Sequence, residues 1–164
     1  MALNFDLSLD APYGEVVKLS PRVSRLLAPN PGLFTFKGTG VYLIGTSPVA
    51  VIDPGPYMAE HRAALERALD GRRVSHILVT HTQKDHSPAD RWLKDLSGAP
   101  IYGFGPHPAA SGEVEEGGDR DFMPDVLVRD GRRIAGEGFT FTALHTPGHI
   151  SNHLCFALEE ETAL

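Results

Sequence analysis

The sequence predicts a mixed α/β (α+β) fold, a layered sheet with helices on its outer face. Short apolar segments joined by tight turns run from residue 16 to residue 52 and are typical of an antiparallel meander. Strand-like and helix-like segments then alternate from residue 74 to residue 104, which indicates helices packed on a sheet. A length of 164 residues and a hydrophobic content of 41% favour a single domain over residues 1–164.

The first strands are short and are separated by residues that favour turns, with a Pro-Asn-Pro-Gly link at residues 29–32. We expect these strands at residues 16–19, 23–27, 33–36, 41–44 and 49–52. The first dozen residues have no clear periodicity, so we expect an extended arm there.

Two helices and further strands follow. Apolar residues recur at helical spacing from Met58 to Leu69, and the Asp-Gly pair that follows can end a helix. A Ser-Pro pair at residues 87–88 predicts the start of a second helix, which reaches Gly98. We expect the remaining strands at residues 74–79, 100–104, 126–128, 133–134, 139–144 and 153–158, with a long loop at residues 106–122.

Composition excludes several classes of protein. The net charge is −6 and the basic residues are dispersed, which disfavours nucleic-acid binding. The single cysteine, Cys155, cannot form an intramolecular disulfide, and its apolar neighbours favour a packed core thiol over a nucleophile. The sequence has no signal-peptide pattern and no apolar run of membrane-spanning length, so we expect a cytoplasmic protein.

The loop after strand 74–79 carries the strongest chemical signal. Residues 80–87 read Thr-His-Thr-Gln-Lys-Asp-His-Ser, and His81, Asp85 and His86 are ligand types for zinc. Loops held by rigid strands commonly carry binding sites. The alternative is an ordinary polar loop in which Asp85 or Ser87 caps the next helix.

A second strand end also carries imidazoles. Residues 144–153 read Leu-His-Thr-Pro-Gly-His-Ile-Ser-Asn-His, and they follow the alternating strand at residues 139–144. Together the two segments resemble the metallo-β-lactamase superfamily, whose signature is a His-x-His-x-Asp-His loop followed downstream by a Thr-Pro-Gly-His turn. The segment Val-Ile-Asp-Pro-Gly at residues 51–55 resembles the Asp-x-Gly turn that the family has beside its metal loop.

The resemblance runs from about Phe34 to the last residue. Within the superfamily, the sequence is most similar to the glyoxalase-II-like and endoribonuclease-like branch. It implies an αββα sandwich of which this chain is the N-terminal portion only, incomplete at its C-terminus. It also implies a zinc-dependent hydrolase, in which a metal-activated water attacks an ester, thioester or phosphodiester of a small-molecule substrate.

The resemblance assigns roles residue by residue. It implies one zinc site formed by His81, Gln83 and His149, and a second that includes Asp85 and His86. Asp85 would in addition be catalytic, because it could orient the attacking water.

Other polar side chains are expected to support this site. The resemblance implies that Asp53 holds the metal loop by hydrogen bonds. His145 and His153 match no required ligand position and are expected to be structural or to support the ligands. His107, in the loop at residues 106–122, either approaches the metal or is a solvated loop histidine.

Two departures from the family pattern support a second hypothesis. Gln83 stands where the family has the second histidine of the loop, and an amide oxygen is a poorer zinc ligand than an imidazole nitrogen. The chain ends at Leu164, before the bridging carboxylate and the last metal-binding histidine of the family. The alternative to a hydrolase is therefore a truncated, catalytically inactive member that acts as a folded or partner-binding module.

An incomplete sandwich predicts an uncovered apolar face on the first sheet. The residues expected on that face are Val41, Leu43, Val51, Ile77 and Val79. Because soluble monomers rarely expose large apolar patches, we expect self-association or pairing with a complementing fragment.

Overall fold

The computed structural model describes residue 8, residues 11–106 and residues 118–161. The strands in these residues are β1 (Val16–Lys18), β2 (Val23–Leu27), β3 (Gly40–Ile44), β4 (Val49–Ile52), β5 (Val74–Leu78), β6 (Ile101–Gly103), β7 (Val126–Leu127), β8 (Arg133–Gly136), β9 (Phe139–His145) and β10 (Leu154–Leu158). The helices are α1 (Ala59–Leu69) and α2 (Asp90–Ser97).

The strands form two sheets. The larger sheet has seven strands in the order β1-β2-β3-β4-β5-β6-β7, antiparallel from β1 to β4 and parallel from β4 to β7. The smaller sheet has the order β10-β9-β8 and is antiparallel. The predicted meander and the predicted mixed α/β fold are confirmed.

One predicted strand is wrong. Residues 33–36 form a turn, in which the Phe36 amide donates to the Gly32 carbonyl at 2.9 Å and the Gly38 amide donates to the Thr35 carbonyl at 2.8 Å. Leu33 and Phe34 project from this turn and are fully exposed. Apolar residues thus occur here without a sheet to pack on, because the Pro-Gly pair before them turns the chain.

The two helices cover one face of the larger sheet. The apolar cluster between these helices and the sheet includes Leu65 and Leu69 of α1 and Leu93 of α2, all of which are buried. The five residues expected on an uncovered face belong to this cluster, and each is at most 1% exposed. The prediction that these five residues are uncovered is wrong, because they lie on the face of the sheet that the helices cover. The five residues are Val41, Leu43, Val51, Ile77 and Val79.

The opposite face of the larger sheet packs against the smaller sheet. Ile44, Ala50 and Leu78 meet Phe141 and Phe156 in this second cluster. The smaller sheet covers this face only in part. A groove with a volume of about 530 Å³ lies between the two sheets, and its apolar lining includes Leu19, Val23, Tyr42, Ile44, Phe156 and Leu158. Cys155 also lines the groove and is half-buried, so the expectation of a packed core thiol is wrong.

Other expectations fall partly outside the described residues. Most of the N-terminal arm and residues 107–117, with His107, lie outside them. After the gap, Phe122 is buried in the helix-side cluster. No helix among residues 11–106 and 118–161 has the length and apolar character to cross a membrane.

Helix α2 begins at Asp90 rather than at Ser87, because residues 87–89 form a turn. The Asp90 side chain is buried, at 3% exposure. This burial, with the negative charges of Asp119 and Asp125, raises the pKa of Asp90 to about 6 from 3.8. Folding therefore disfavours the ionised carboxylate, at a cost in stability that appears as the pH rises from 3.8 through 6.

We expect Asp90→Asn to stabilise the fold in a pH-dependent way. The amide is neutral and can still accept the Arg91 backbone N–H, so the free energy of unfolding should rise by about 2 kcal/mol at about pH 7.5 and change little at about pH 4. Urea denaturation followed by Trp92 fluorescence measures both values. An equal change at the two pH values would contradict the assignment of a raised pKa.

Candidate metal centre

The polar loops meet at one edge of the larger sheet. Strands β4 and β5 are parallel, so Asp53 after β4 and His81 after β5 emerge at the same edge. The smaller sheet is tied to this edge where the Leu154 amide donates to the Thr80 carbonyl at 2.8 Å. Carboxyl ends of parallel strands are common binding positions, and this bond brings the turn before β10 there as well.

His81, Gln83 and His149 lie in direct contact. Gln83 Oε1 accepts a hydrogen bond from His149 Nε2 at 2.8 Å and lies 3.1 Å from His81 Nε2. The two imidazole rings meet edge to face, with centroids 5.3 Å apart. The Nε2 atoms of two histidines from distant segments of the chain therefore meet at the side-chain oxygen of Gln83.

His86 lies between two carboxylates beside this group. Its Nδ1 donates to Asp53 Oδ2 at 2.9 Å and its Nε2 donates to Asp85 Oδ2 at 3.1 Å. Burial alone would lower the pKa of His86, but the hydrogen bonds and charges of the two carboxylates raise this pKa to about 10. The ring centroid of His81 is only 4.1 Å away. Burial and the charge of His86 lower the pKa of His81 to about 4, so His81 is neutral.

Asp53 connects the metal loop to strand β4. Its carboxylate accepts the Thr80 amide at 2.7 Å and the Thr80 hydroxyl at 2.6 Å, in addition to His86. Burial opposes ionisation of Asp53, but the bonds and charge of His86 and the bonds of Thr80 hold its pKa below the usual value. Its backbone has φ of 50° and the next turn is tied to the loop by the bond from the Gly55 amide to the His86 carbonyl, at 2.9 Å.

Two residues that the sequence analysis did not identify, Thr39 and Asn30, help to hold Asp85 in place. Thr39, which precedes β3, donates its hydroxyl to Asp85 Oδ2 at 3.0 Å, and the Asn30 side chain binds the Thr39 amide and hydroxyl. Burial is outweighed by His86 and Thr39, which lower the pKa of Asp85 to about 2. Neither Asp85 nor Ser87 caps α2, whose N-cap residue is Ala89. The alternative of a simple capping loop is therefore wrong.

The other two histidines of residues 144–153, His145 at the end of β9 and His153 before β10, have different surroundings. His153 lies beside the site, with its ring centroid 5.0 Å from that of His81 and its Nδ1 2.8 Å from Thr146 Oγ1. His145 stacks on Phe104 at 4.4 Å, and its Nε2 donates to the Ser151 carbonyl at 2.9 Å. His145 therefore orders the turn, whereas His153 borders the group of His81, Gln83 and His149.

The donor set is suited to a metal ion. Donor atoms around a tetrahedral zinc ion lie about 3.3 Å apart when each bond is about 2.0 Å long. The contacts of Gln83 Oε1 with the two imidazoles, at 2.8 and 3.1 Å, are close to that spacing. Asp53, His81 and His86 also offer ligand atoms that all lie within 4.8 Å of one another. Imidazole, amide and carboxylate donors so close together fit zinc or a similar divalent metal.

Comparison with known proteins identifies the family. The model of the metallo-beta-lactamase superfamily matches residues 35–164. The chain is 37% identical over 153 residues to an atrochrysone carboxyl ACP thioesterase from Claviceps purpurea, with 92% of this chain and 46% of that protein covered. It is 38% identical over 153 residues to a lactamase-like protein, vrtG, from Penicillium aethiopicum, with 91% and 46% covered. This chain therefore belongs to the metallo-beta-lactamase superfamily.

Solved structures agree on the fold. A metallo-beta-lactamase family protein from Thermus thermophilus has a TM-score of 0.69 and 26% identity, and covers 88% of this chain and 58% of that one. BJP-1, a subclass B3 metallo-beta-lactamase of Bradyrhizobium japonicum, has a TM-score of 0.68 and 21% identity, over 90% and 57%. The chain spans about half the length of the curated relatives it matches.

Proposed function

We propose that this chain carries the metal site of a zinc-dependent hydrolase that cleaves a small-molecule thioester or ester. The observation that carries the proposal is the convergence of His81, Gln83 and His149 beside Asp85 and His86 at one sheet edge. Clusters of imidazole, amide and carboxylate groups are how proteins hold a catalytic metal.

Two further observations favour a thioester. Relatives of 37% and 36% identity are named atrochrysone carboxyl ACP thioesterases. The net charge of −6 disfavours a polyanionic phosphodiester substrate. Since the relatives are about twice as long as this chain, the substrate is proposed for the whole protein to which this site belongs.

Each residue has a defined task in the proposed reaction. His81, Gln83 and His149 would hold one zinc ion, and Asp85 and His86 would belong to a second site. Zinc bound there would supply an activated water and polarise the substrate carbonyl. Asp85, whose pKa of about 2 keeps it ionised, would accept a hydrogen bond from the attacking water and orient it. Asp53 and Thr39 would keep His86 and Asp85 in place.

Zinc binding and thioester hydrolysis test the proposal together. The purified chain should bind zinc by calorimetry and release thiol from an acyl N-acetylcysteamine thioester in a zinc-dependent way. His149→Ala should reduce both, whereas Arg67→Ala, at an exposed position of helix α1, should leave both unchanged. Hydrolysis that persists in His149→Ala with a chelator would contradict the proposed site.

The alternative of a catalytically inactive module rests on Gln83, which replaces an imidazole by a weaker oxygen donor. It predicts folded protein that hydrolyses no thioester even when zinc is bound. The experiment above separates the two functions, because only the hydrolase requires zinc-dependent release of thiol.

We also propose that the groove between the two sheets is covered by a second copy of this chain in a pure preparation. Its wall is mostly apolar and includes Val23, Tyr42 and Leu158. Strand β10 is the last strand of the smaller sheet and pairs only with β9 among the described strands. An apolar groove beside such an edge is suited to association.

Sedimentation tests the association at micromolar concentration. We expect dimers or larger species of the chain, and a shift toward monomer in Val23→Lys, which places a charge in the groove. Glu15→Lys, at an exposed position outside the groove lining, serves as the control. A stable wild-type monomer that binds no hydrophobic dye would contradict the proposal.

A further inference from the structure

Asn152 is a buried polar side chain that joins three separate segments. It is only 1% exposed, and its Nδ2 donates to Thr82 Oγ1 at 3.0 Å and to the Gly105 carbonyl at 3.1 Å. Thr82 belongs to the metal loop after β5, and Gly105 lies in the segment after β6. A single amide therefore spans two loops from a third, the turn before β10.

Asn152 and its partner Thr82 are both close in the chain to residues of the candidate metal site. Thr82 lies between His81 and Gln83, and Asn152 follows His149 by three residues. The bond between Asn152 and Thr82 thus joins the two segments whose side chains meet at Gln83 Oε1. Residues 146–149 are all exposed, so the core does not hold His149, and the turn depends on hydrogen bonds such as that between His145 Nε2 and the Ser151 carbonyl and those of Asn152. The turn is anchored immediately afterwards, where Ile150 is 2% exposed.

The environment makes the amide hard to replace. A buried hydrogen bond is strong in a low dielectric, and a buried donor or acceptor that loses its partner carries a desolvation penalty. Asp has the shape of Asn but no N–H to donate, so in Asn152→Asp the Gly105 carbonyl would lose its donor and face a carboxylate, and only the Thr82 hydroxyl could rotate to donate to it. Among the described residues, Asn152 Oδ1 has no hydrogen-bond partner, so the two N–H groups carry the polar contacts of this side chain.

We propose that Asn152 is a positioning residue, which places His149 against His81 and Gln83 by tying the turn before β10 to the metal loop and to the segment after β6. As a statement about metal affinity it rests on the proposed function. As a statement about the contact between His149 and Gln83 it concerns the metal-free protein. The two statements are tested by different measurements.

The first measurement needs no metal. In the chelator-treated protein, ¹⁵N chemical shifts of the imidazoles report which nitrogen carries the proton. His149 should have its proton on Nε2 in the wild type, because that atom donates to Gln83 Oε1. In Asn152→Asp this single tautomer should become a mixture, while His76, half-buried on β5, keeps its signals.

The second measurement is zinc affinity by calorimetry. Asn152→Asp should weaken zinc binding by about 10- to 100-fold, the usual loss when a residue that orients ligands is changed. Thr82→Val removes one of the two acceptors and should give a smaller loss. The double variant should lose less than the sum of the two single losses on a free-energy scale, because the residues act through one bond.

A control separates positioning from general stability. Asp125 accepts the Ile101 amide at 2.8 Å at the start of β6, away from the loops. Asp125→Ala should lower the free energy of unfolding without changing the His149 signal or zinc affinity. If Asn152→Asp does not fold, Thr82→Val must show the same change in His149, in reduced degree.

The outcomes are distinct. A His149 signal that is unchanged in both Asn152→Asp and Thr82→Val overturns the positioning role. A loss of the His149 signal in Asp125→Ala also overturns it, because the effect would then be one of stability alone. If the wild type binds no zinc, the proposed function fails, and the imidazole signals still decide the role of Asn152.

Discussion

Replacing Gln83 by histidine is expected to strengthen zinc binding by at least about tenfold, or about 1.4 kcal/mol. Gln83 Oε1 already lies 2.8 Å from His149 Nε2 and 3.1 Å from His81 Nε2. An imidazole nitrogen is a better zinc ligand than an amide oxygen, so a third histidine would complete a three-histidine set without moving the loop. Calorimetric titration of the chelator-treated protein with zinc measures the gain.

The matched control adds a histidine one position along the same loop. Lys84 is exposed, so Lys84→His should bring no donor to the site and leave the affinity unchanged. Equal affinities in Gln83→His and the wild type would mean that the side chain at position 83 is not directed at a metal. A gain of similar size in Lys84→His would mean that zinc binds at the surface.

Replacing Asp53 by alanine is expected to lower the free energy of unfolding by about 3–5 kcal/mol in the metal-free protein. The change removes a buried carboxylate that pairs with His86 and accepts both the amide and the hydroxyl of Thr80. The Thr80 amide would then lack its acceptor, and His86 would keep only Asp85. Urea denaturation with a chelator present measures the loss.

The pH dependence of this loss identifies its cause. The pKa of His86 is raised in the folded chain to about 10 from 6.5, so the pairing stabilises the fold fully below pH 6.5. That contribution is lost as the pH rises from 6.5 through 10, and the difference between wild type and Asp53→Ala should shrink over the same range. A pH-independent difference would assign the whole effect to Thr80.

Asp130→Ala is the control for the loss of a single carboxylate acceptor. Asp130 accepts the His145 amide at 2.8 Å in an exposed position, so its removal should cost about 1 kcal/mol or less. If Asp130→Ala and Asp53→Ala cost the same, the buried position of Asp53 and its pairing with His86 contribute nothing measurable. A cost for Asp53→Ala below that of Asp130→Ala would have the same meaning.

Local sequence was enough to place the strands that lead into the site. Apolar residues that stop at a polar loop predicted β5 to within one residue, and the alternation before the Thr-Pro-Gly-His turn did the same for β9. These signals depend on neighbours in the chain. Residues 33–36 show the limit of such signals, because two apolar residues there point into solvent from a turn.

The residues that hold the metal loop in place from distant parts of the chain could not be predicted from local sequence. Thr39 and Asn152 reach the metal loop from 46 and 70 residues away in the chain, and neither forms a pattern with its neighbours. The same is true of His153, which matched no ligand position and still lies beside His81. A hydrogen bond between distant segments depends on how the sheets pack, so it produces no periodic pattern in the sequence.

By itself the sequence determined the family, the mixed sheet with its helices, and the side chains at the two strand ends, because each depends on short patterns or on the order of motifs. Only the tertiary structure decided which face of the larger sheet is covered. Strand β3 is apolar on both faces, so Val41 and Leu43 could have faced either layer, and alternation alone cannot tell helix from sheet as the partner. Packing of α1 and α2 settled that choice and left the groove on the other side.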